Sequence, residues 1–566
     1  MSERGGFALE ATLGILVLLS ILVVTVYATA MAAFRSGVTD LGKQRTYYAA
    51  EAGAESGMSQ LADALEDAVL EDGEMTAIVA PTMTGFSFDS FAVIKIDTVR
   101  HERITDGPFT GLYSLTQMVD IYSEASAPDG SSSAVVVTAK AQAIPIFQFG
   151  VFYEKDLEIH NGPPLTFAGW VHTNGNLYVS SNSTYYDDIV TTPNNIYHMR
   201  KDRHVTLNGV YIHDASATDV QLDFDSRSHP ADADFRAMSN ARFDDRLKTN
   251  AYGVDTLKVP LPDGMDPVNV IERRMLSDGA LEIQSKMAHK ADWYIEVPIN
   301  SMPNESDFCS NYISTRTSGK VLPTAAECAA IFDLDYDQWY EGREGRFVDV
   351  LNIDMSQLFA WSGSDSTRIT EILYIFYSGT GPDPQGDGNY PVLRLENAAT
   401  LGNPISVASR HPIYVRGNYN SGVWQPSAIL GDNVTFLSNN WNDANQQVLV
   451  ENASVSTTVY AAIMSGHSET PCDHMDAGCG TTSPYGGGLE NFPRFLENWS
   501  GRTLTYRGSL VSLYFPQQST GAWGGHYYNP PGRDWAFDLR FNDPANLPPG
   551  TPVVGNVIHT AFRPVY

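Results

Sequence analysis

The chain has 566 residues, and its 36 basic and 66 acidic side chains leave a formal net charge of -30. An acidic surface of this size repels nucleic acid phosphates and anionic lipid headgroups, so the sequence predicts no nucleic-acid partner. The same acidity keeps an exposed protein soluble and leaves carboxylates available for calcium.

The first informative element is an uncharged run from Ala11 to Phe34. As a helix it can cross roughly 30 Å of hydrocarbon, which takes about 20 residues. A secretory signal would carry a basic region before a shorter apolar core, whereas only Arg4 precedes this one. A signal cleaved after Ala30 stays an alternative. Glu10 stands at the edge of the apolar run, where an unpaired carboxylate is costly to bury and needs a partner.

Residues 5–10, with the sequence GGFALE, and the apolar residues after them resemble the class III signal of type IV pilins and pseudopilins. The resemblance implies that prepilin peptidase cuts after a glycine on the cytoplasmic side. The helix would then pack with other pilins in a filament core, and Glu10 would offset the new N-terminal amine. Cleavage after Gly6 gives Phe7 as an aromatic first residue but makes Glu10 the fourth. Cleavage after Gly5 makes Glu10 the fifth but gives a glycine start, and both registers stay open.

The positive charges around the span disagree with a cytoplasmic N-terminus. Arg35, Lys43 and Arg45 follow the span, so the positive-inside rule alone would keep the body in the cytoplasm. The pilin-like leader implies a cytoplasmic N-terminus instead. We therefore expect a single-pass bacterial inner-membrane protein with the N-terminus inside, which later reaches an extracellular filament or the cell surface.

The helical pattern continues beyond the membrane. Apolar residues recur three and four positions apart, as on one face of a helix. Residues 47–55, YYAAEAGAE, resemble a segment of PilX-type minor pilins and their large relatives. A generic signal-anchor with a packed stalk is the alternative. The residues of the apolar face are Ala50, Ala54, Met58, Leu61, Leu65 and Val69.

The expected fold is mainly β with a long N-terminal α-helix: a pilin-like helical stalk and a β-solenoid-like or β-sandwich body. The predicted domains are a leader (1–6), a transmembrane helix (7–34), a helical stalk (35–75), a β-rich pilin-like region (76–150), a β-rich body (151–345) and a C-terminal solenoid-like domain (346–566).

Short β runs punctuated by Gly, Asn, Asp and Pro make up most of the body. Residues 165–179 fit either a hairpin that turns at Asn174-Gly175 or successive rungs of a parallel solenoid. Comparable rungs at irregular spacing favour the solenoid, and a β-sandwich remains the alternative. The predicted strands are 133–138, 292–298, 369–377, 412–416 and 434–437, the predicted rungs 405–415, 428–438, 458–466 and 504–513, and the predicted helices 234–248 and 492–499.

Residues 171–178 and 487–499 resemble segments shared by large pilin-like proteins of bacterial envelopes. That resemblance implies architecture and location, and no catalytic residue. Metalloprotease, P-loop and nucleophile-elbow motifs are missing from the sequence. His172, inside a predicted strand, is expected to be a hydrogen-bonded structural histidine.

The four cysteines form two close pairs, Cys309 with Cys328 and Cys472 with Cys479. Local disulfides in an oxidising compartment are the simplest interpretation. Zinc is a competitor at the second pair, because His467 precedes the pair and His474 lies between its two cysteines, but the spacing is not a common zinc-finger pattern.

The sequence requires no cofactor, but two groups of aspartates could bind calcium. Asp333, Asp335 and Asp337 alternate along a predicted strand and would share one face, although a solvated strand face is the commoner explanation of such a pattern. Asp383 and Asp387 stand in a glycine-rich loop that lacks the terminal glutamate of a calcium loop.

The sequence as a whole predicts a non-enzymatic, membrane-anchored minor pilin-like subunit, whose large head would serve adhesion or filament priming. One rival is a surface-anchored polysaccharide-active β-solenoid enzyme, and another is an adhesin or envelope scaffold outside any filament. The enzyme would need paired carboxylates, for which Asp432 with Asp443 and Asp473 with Asp476 are the candidates.

Overall fold

The computed structural model describes residues 6–65, 70, 72–228, 232–259, 261, 265–274, 286–298, 308–316, 319–378, 390–445, 453–472, 485–521 and 527–565. A long N-terminal helix leads into a large β-rich body, as predicted. The helices in this part of the chain are α1 (Gly6–Asp63), α2 (Asp72–Ala77), α3 (Asp232–Phe243), α4 (Met287–Lys290), α5 (Phe308–Tyr312), α6 (Ala325–Ile331) and α7 (Met355–Ser362).

The strands are β1 (Ser87–Lys95), β2 (Arg100–Arg103), β3 (Tyr113–Ser126), β4 (Ser132–Pro145), β5 (Val151–Tyr153), β6 (Leu157–Ile159), β7 (Leu165–Phe167), β8 (Val171–Thr173), β9 (Leu177–Val179), β10 (Ser181–Tyr186), β11 (Val190–Thr191), β12 (Ile196–Tyr197), β13 (Asn208–His213), β14 (Asp219–Gln221), β15 (Leu247–Lys248), β16 (Trp293–Pro298), β17 (Ile313–Thr315), β18 (Phe332–Glu341), β19 (Arg346–Asp354), β20 (Ile372–Ser378), β21 (Tyr390–Glu396), β22 (Ile405–Ser409), β23 (Ile413–Arg416), β24 (Ser427–Gly431), β25 (Val434–Leu437), β26 (Thr457–Tyr460), β27 (Ala462–Ser465), β28 (Arg494–Phe495), β29 (Thr503–Gly508), β30 (Leu510–Ser512), β31 (Gly532–Phe537) and β32 (Val553–Val565).

An antiparallel sheet packs against the second half of α1. Its order is β1-β3-β4-β32, with β2 paired to β3. Successive side chains of a strand point to opposite faces, so every second residue of β3 and β4 reaches the helix. The core between them joins Ala50 and Ala54 of α1 to Val119, Ile121 and Val137 of the sheet.

The predicted apolar face of α1 is correct over most of its length. Ala50, Ala54 and Leu61 are buried, and Met58 is partly buried. The helix ends at Asp63, before residue 75, where the helical stalk was predicted to end. Leu65 is still buried just beyond the helix, and Val69 lies outside the described residues.

The body is a parallel β-solenoid, not a β-sandwich. Each turn of the first half carries three short strands, such as β5, β6 and β7, and each strand pairs in parallel with its counterpart one turn later. Parallel sheets are covered on both faces, so their strands are buried along their whole length. β22 and β24 are accordingly buried at every position.

The parallel pairing also decides between the two interpretations of residues 165–179. β8 pairs with β5 and β11, whereas β9 pairs with β6 and β12. The two strands beside Asn174-Gly175 therefore belong to different sheets, and the hairpin interpretation is wrong. Each of the four predicted later rungs coincides with two strands that are consecutive in the chain: β22 and β23, β24 and β25, β26 and β27, and β29 and β30.

The first and last strands of the large sheet in chain order that belong to the solenoid, β5 and β30, are neighbours in the interior of that sheet. From β5 the chain winds outward through β8 and β11 to β15, and then reappears at the opposite end of the same large sheet as β16. From there β20, β22, β24, β27 and β30 wind back until β30 pairs in parallel with β5. The first and last turns of the body are therefore neighbours.

The segment that connects the two halves covers the outer face of the large sheet. Its buried residues Leu257 and Ile271 share one core with Tyr374 and Leu430 of the sheet. Phe147, just after β4, belongs to the same core. This shared core joins the antiparallel sheet beside α1 to the solenoid.

Most local predictions agree with these elements, with one clear error. The five predicted strands overlap β4, β16, β20, β23 and β25, and the predicted helix 234–248 overlaps α3. Residues 492–499 are not helical: a 3-10 turn at Leu489–Asn491 precedes β28. Phe492, Phe495 and Trp499 recur at helical spacing, but they fill the interior of the solenoid.

Candidate assembly interface

The N-terminal part of α1 has no packing partner within the part of the chain that the structure describes. Every side chain from residue 8 to residue 41 is exposed, including Leu9 at 73% and Phe34 at 68%. The helix is long and apolar enough to cross a membrane. Exposed apolar surface of this extent marks a membrane or protein contact.

The predicted processing residues stand at the start of this exposed segment. The helix begins at Gly6, and Phe7 and Glu10 lie within its first turns. The Glu10 side chain is exposed and therefore accessible to a partner. Gly5 lies outside the described residues, and both cleavage registers stay predictions.

The docked half of α1 approaches the sheet closely because two of its residues are glycines. A Cβ at Gly53 would overlap Ser123 and the ring of Phe88, and a Cβ at Gly57 would lie 3.0 Å from side-chain atoms of Ile121 and of Phe91. Neither glycine could be replaced without moving the helix or its neighbours. These two glycines thus set the distance between helix and sheet.

The first predicted disulfide pair is bonded in the structure. Cys309 in α5 and Cys328 in α6 have Cα atoms 5.9 Å apart. A capping box begins α6, in which Thr324 accepts from the Glu327 backbone and Glu327 accepts from the Thr324 backbone. The bond therefore joins two short helices at the far end of the solenoid.

The second pair is only partly described. Cys472 is disulfide-bonded, and Cys479 and His474 lie outside the described residues. A cysteine in a disulfide has no thiolate to offer zinc, so the bonded state of Cys472 speaks against the zinc alternative. The remaining predicted ligand, His467, is buried and lines a cavity.

The predicted calcium ligands are not brought into one cluster of three. Asp333 and Asp335 lie near each other in β18, and burial together with the Asp333 charge raises the pKa of Asp335. A register shift follows Asp335, and Asp337 has a positive φ of 51°. Among the described residues, no group of three or more His, Cys, Asp or Glu could hold a metal ion. Asp383 and Asp387 lie outside that part of the chain, and calcium binding stays a prediction.

His172 is a structural histidine, as predicted. Its Nδ1 lies 2.8 Å from Thr191 Oγ1 and its Nε2 lies 2.9 Å from Asn174 Oδ1. Burial lowers the pKa of His172 to about 4. Asn174 also accepts from the backbone N–H of Leu257, so the histidine helps hold the connecting segment on the solenoid.

The carboxylates considered for an enzyme are engaged in structural contacts where they can be seen. Asp432 accepts backbone N–H groups of Gln517, Gln518 and Ser519. Asp443 pairs with Arg394 at 2.8 Å. Asp473 and Asp476 lie outside the described residues.

One further feature escaped the sequence analysis. A cavity of about 220 Å³ opens on the solenoid beside His467, and Arg343 lines it from the turn between β18 and β19. In the sequence, Arg343 stands in a charged stretch, EGREGR, which is typical of a solvated turn. Only the fold buries it.

No family model matches the chain, and no curated protein matches it. Among solved structures, the chain is similar to the competence-associated pilin ComZ from Thermus thermophilus. That comparison covers 93% of this chain and 97% of the other, at 10% sequence identity and a TM-score of 0.26. A TM-score this low carries no argument about the fold or the function.

Proposed function

We propose that this chain is a membrane-anchored minor subunit of a type IV pilus or pseudopilus. The observation that carries the proposal is α1 itself, one continuous helix of 58 residues. Its first part is apolar and exposed, whereas its second part is docked on an antiparallel sheet. A helix divided in this way can leave the bilayer and pack against other pilin helices while its own head stays folded.

The size of the head favours a minor or tip position. Residues 146–552 form one insertion between β4 and β32 of the sheet that holds α1. Heads of this size would collide if every subunit around a narrow helical core carried one. The head would project from the tip or the side, where it serves adhesion or the priming of assembly.

The processing partner in this proposal is prepilin peptidase, which acts at the cytoplasmic face of the inner membrane. The N-terminus starts inside and the acidic body is exported. The terminal peptide of the protein recovered from its native membrane, analysed by mass spectrometry, tests this directly. A start at Gly6 or Phe7, in particular with an N-methyl group, supports the proposal. An intact Met1 or Ser2, or a start after Ala30, contradicts it.

A variant tests the role of Glu10. We expect Glu10→Ala to reduce the recovery of the protein in sheared filaments, because the carboxylate no longer offsets the N-terminal amine of a pilin helix. The matched control is Glu55→Ala, which removes an exposed glutamate from the docked half of the same helix. Circular dichroism should show an unchanged body in both variants. Normal incorporation of Glu10→Ala would remove the pairing argument.

A further inference from the structure

The cavity beside His467 is formed by segments that are far apart in the chain. Gly466 and His467 follow β27, Asn491 precedes β28, and Thr520 follows β30. Arg343 enters from the β18–β19 turn. At about 30 Å³ for each liquid water, 220 Å³ is the space of roughly seven waters, or of one monosaccharide-sized group.

Arg343 brings an unsatisfied cation to this cavity. The residue is 8% exposed, and its Nε and Nη1 have no hydrogen-bond partner within the described parts of the chain. Its Nη2 donates only a long bond, 3.4 Å, to the carbonyl of Gly521. An arginine stays protonated, so a buried guanidinium with free donors needs an anion.

The charges of Glu341 and Glu344 attract Arg343, but neither carboxylate forms an ion pair with it within the described residues. Glu344 is occupied by the Arg494 guanidinium and by the backbone N–H of Gly521, which lies at 2.8 Å. Glu341, 1% exposed, accepts the backbone N–H of Glu344. Burial and, after it, the positive charge of Arg494 lower the pKa of Arg343 to about 10, and the charges of Glu341 and Glu344 oppose that shift. The cavity therefore holds two guanidinium groups, of which only Arg494 is paired with a carboxylate.

The cavity is also lined by neutral polar groups and by the Glu469 carboxylate, which Lys201 holds at 3.2 Å and which accepts the backbone N–H of Asp156. His467 is 9% exposed, and its Nε2 has no hydrogen-bond partner among the described residues. Burial lowers the pKa of His467 to about 4, so the ring is neutral at pH 7. Asn433 and Asn491 also line the cavity, together with the aromatic ring of Phe492. Such a lining fits hydroxyl groups and one apolar face beside the anionic group.

We propose that this cavity binds a small carboxylate ligand of the hexuronic acid type, with its carboxylate on Arg343 and its hydroxyl groups toward His467 and the asparagines. The strongly acidic surface of the chain disfavours a long polyanion, so the ligand is a single residue or the end of a glycan. This inference specifies what the proposed head would recognise, and it stands on the cavity alone. Failure of N-terminal processing would not affect it.

Isothermal titration of the full chain in detergent with sodium glucuronate tests the proposal, with glucose and inorganic phosphate as comparison probes. We expect glucuronate to bind and the other two to bind at least tenfold more weakly. Equal binding of phosphate would overturn the carboxylate assignment, and equal binding of glucose would overturn the role of the cation. Absence of glucuronate binding would overturn the proposal as a whole.

Two variants locate the site. Arg343→Gln should weaken glucuronate binding roughly ten- to hundredfold, the range expected for losing hydrogen bonds to a charged group. Its unfolding temperature should stay the same or rise, because an unpaired buried charge is removed. His467→Gln should weaken binding less. Arg507→Gln, which removes an arginine that is paired with Asp534 elsewhere on the solenoid, is the matched control and should bind normally. Normal binding by Arg343→Gln would overturn the assignment.

Discussion

Pro145 and Val553 lie opposite each other in the antiparallel pairing of β4 and β32. The chain leaves the antiparallel sheet beside α1 at the first residue and returns at the second, after all of the solenoid. A solenoid wound from one end to the other would leave its two ends far apart. Because this one starts and ends in its middle, both connections reach the same edge of the sheet without a long linker.

The seam between β30 and β5 should be a sensitive point of the body. There the Leu510 N–H donates to the Gly150 carbonyl, and buried Ser509 donates its hydroxyl to the Phe149 carbonyl at 2.6 Å. We expect Ser509→Ala to lower the free energy of opening at the seam by about 1 kcal/mol, since one buried hydrogen bond is lost. Hydrogen exchange of the Leu510 amide measures it.

The control for the seam is Ser500→Ala, in an exposed turn before β29. It should leave the exchange of Leu510 unchanged. Equal exchange rates in Ser509→Ala and the wild type would mean that the seam is not held by this bond.

Gly53 should tolerate no side chain, whereas Gly37 in the same helix should. Nothing lies within 4 Å of a Cβ at Gly37, so Gly37→Ala gains up to about 1 kcal/mol of helix propensity. Gly53→Ala has the same gain but overlaps Ser123 and Phe88, and overpacking costs about 1–3 kcal/mol. We expect faster tryptic cleavage after Lys43 and Arg45 only in Gly53→Ala. Unchanged cleavage would show that the sheet yields to the added methyl group.

Features that depend on neighbouring residues, such as short strands, can be predicted from the sequence. Features that depend on pairing between distant segments cannot. The short β runs at Ile405–Ser409 and Val434–Leu437 are recognisable from local sequence, and each is a strand that is buried at every position. The pairing of β30 with β5 depends on residues about 360 positions apart, and no local pattern carries it. Arg343 illustrates the same limit, because its burial depends on residues near Gly521.

The Cys309–Cys328 disulfide should stabilise the end of the solenoid. It closes a loop between residues 19 positions apart, for which the chain-entropy model gives about 3 kcal/mol. We expect the Cys309→Ser/Cys328→Ser variant to unfold at a lower temperature. Reductant should lower the unfolding temperature of the wild type by more than that of the variant. Any lowering that remains in the variant comes from the disulfide of Cys472. Equal responses would contradict a stabilising role for this bond.

Glu497 should make the stability of the solenoid depend on pH. Its side chain is fully buried, where it accepts the backbone N–H and the hydroxyl of Ser438. Burial raises the pKa of Glu497 from 4.5 to about 7, and the Ser438 bonds and the Arg416 charge oppose that rise. The folded state therefore prefers the protonated acid. Its contribution to stability is fully present below pH 4.5 and is lost as the pH rises through about 7.

Glu497→Gln isolates this effect, because the amide keeps the size of the side chain and does not titrate in this range. The variant should lose up to about 3 kcal/mol of the stability difference between pH 4.5 and pH 8, at 1.36 kcal/mol for each pKa unit. Chemical unfolding at several pH values measures it.

Glu158, whose pKa burial also raises to about 7, stays in place and leaves a second pH-dependent contribution. The variant Glu158→Gln is the matched comparison. If the free energy of unfolding of Glu497→Gln followed pH in parallel with that of the wild type, Glu497 would not titrate as its burial requires.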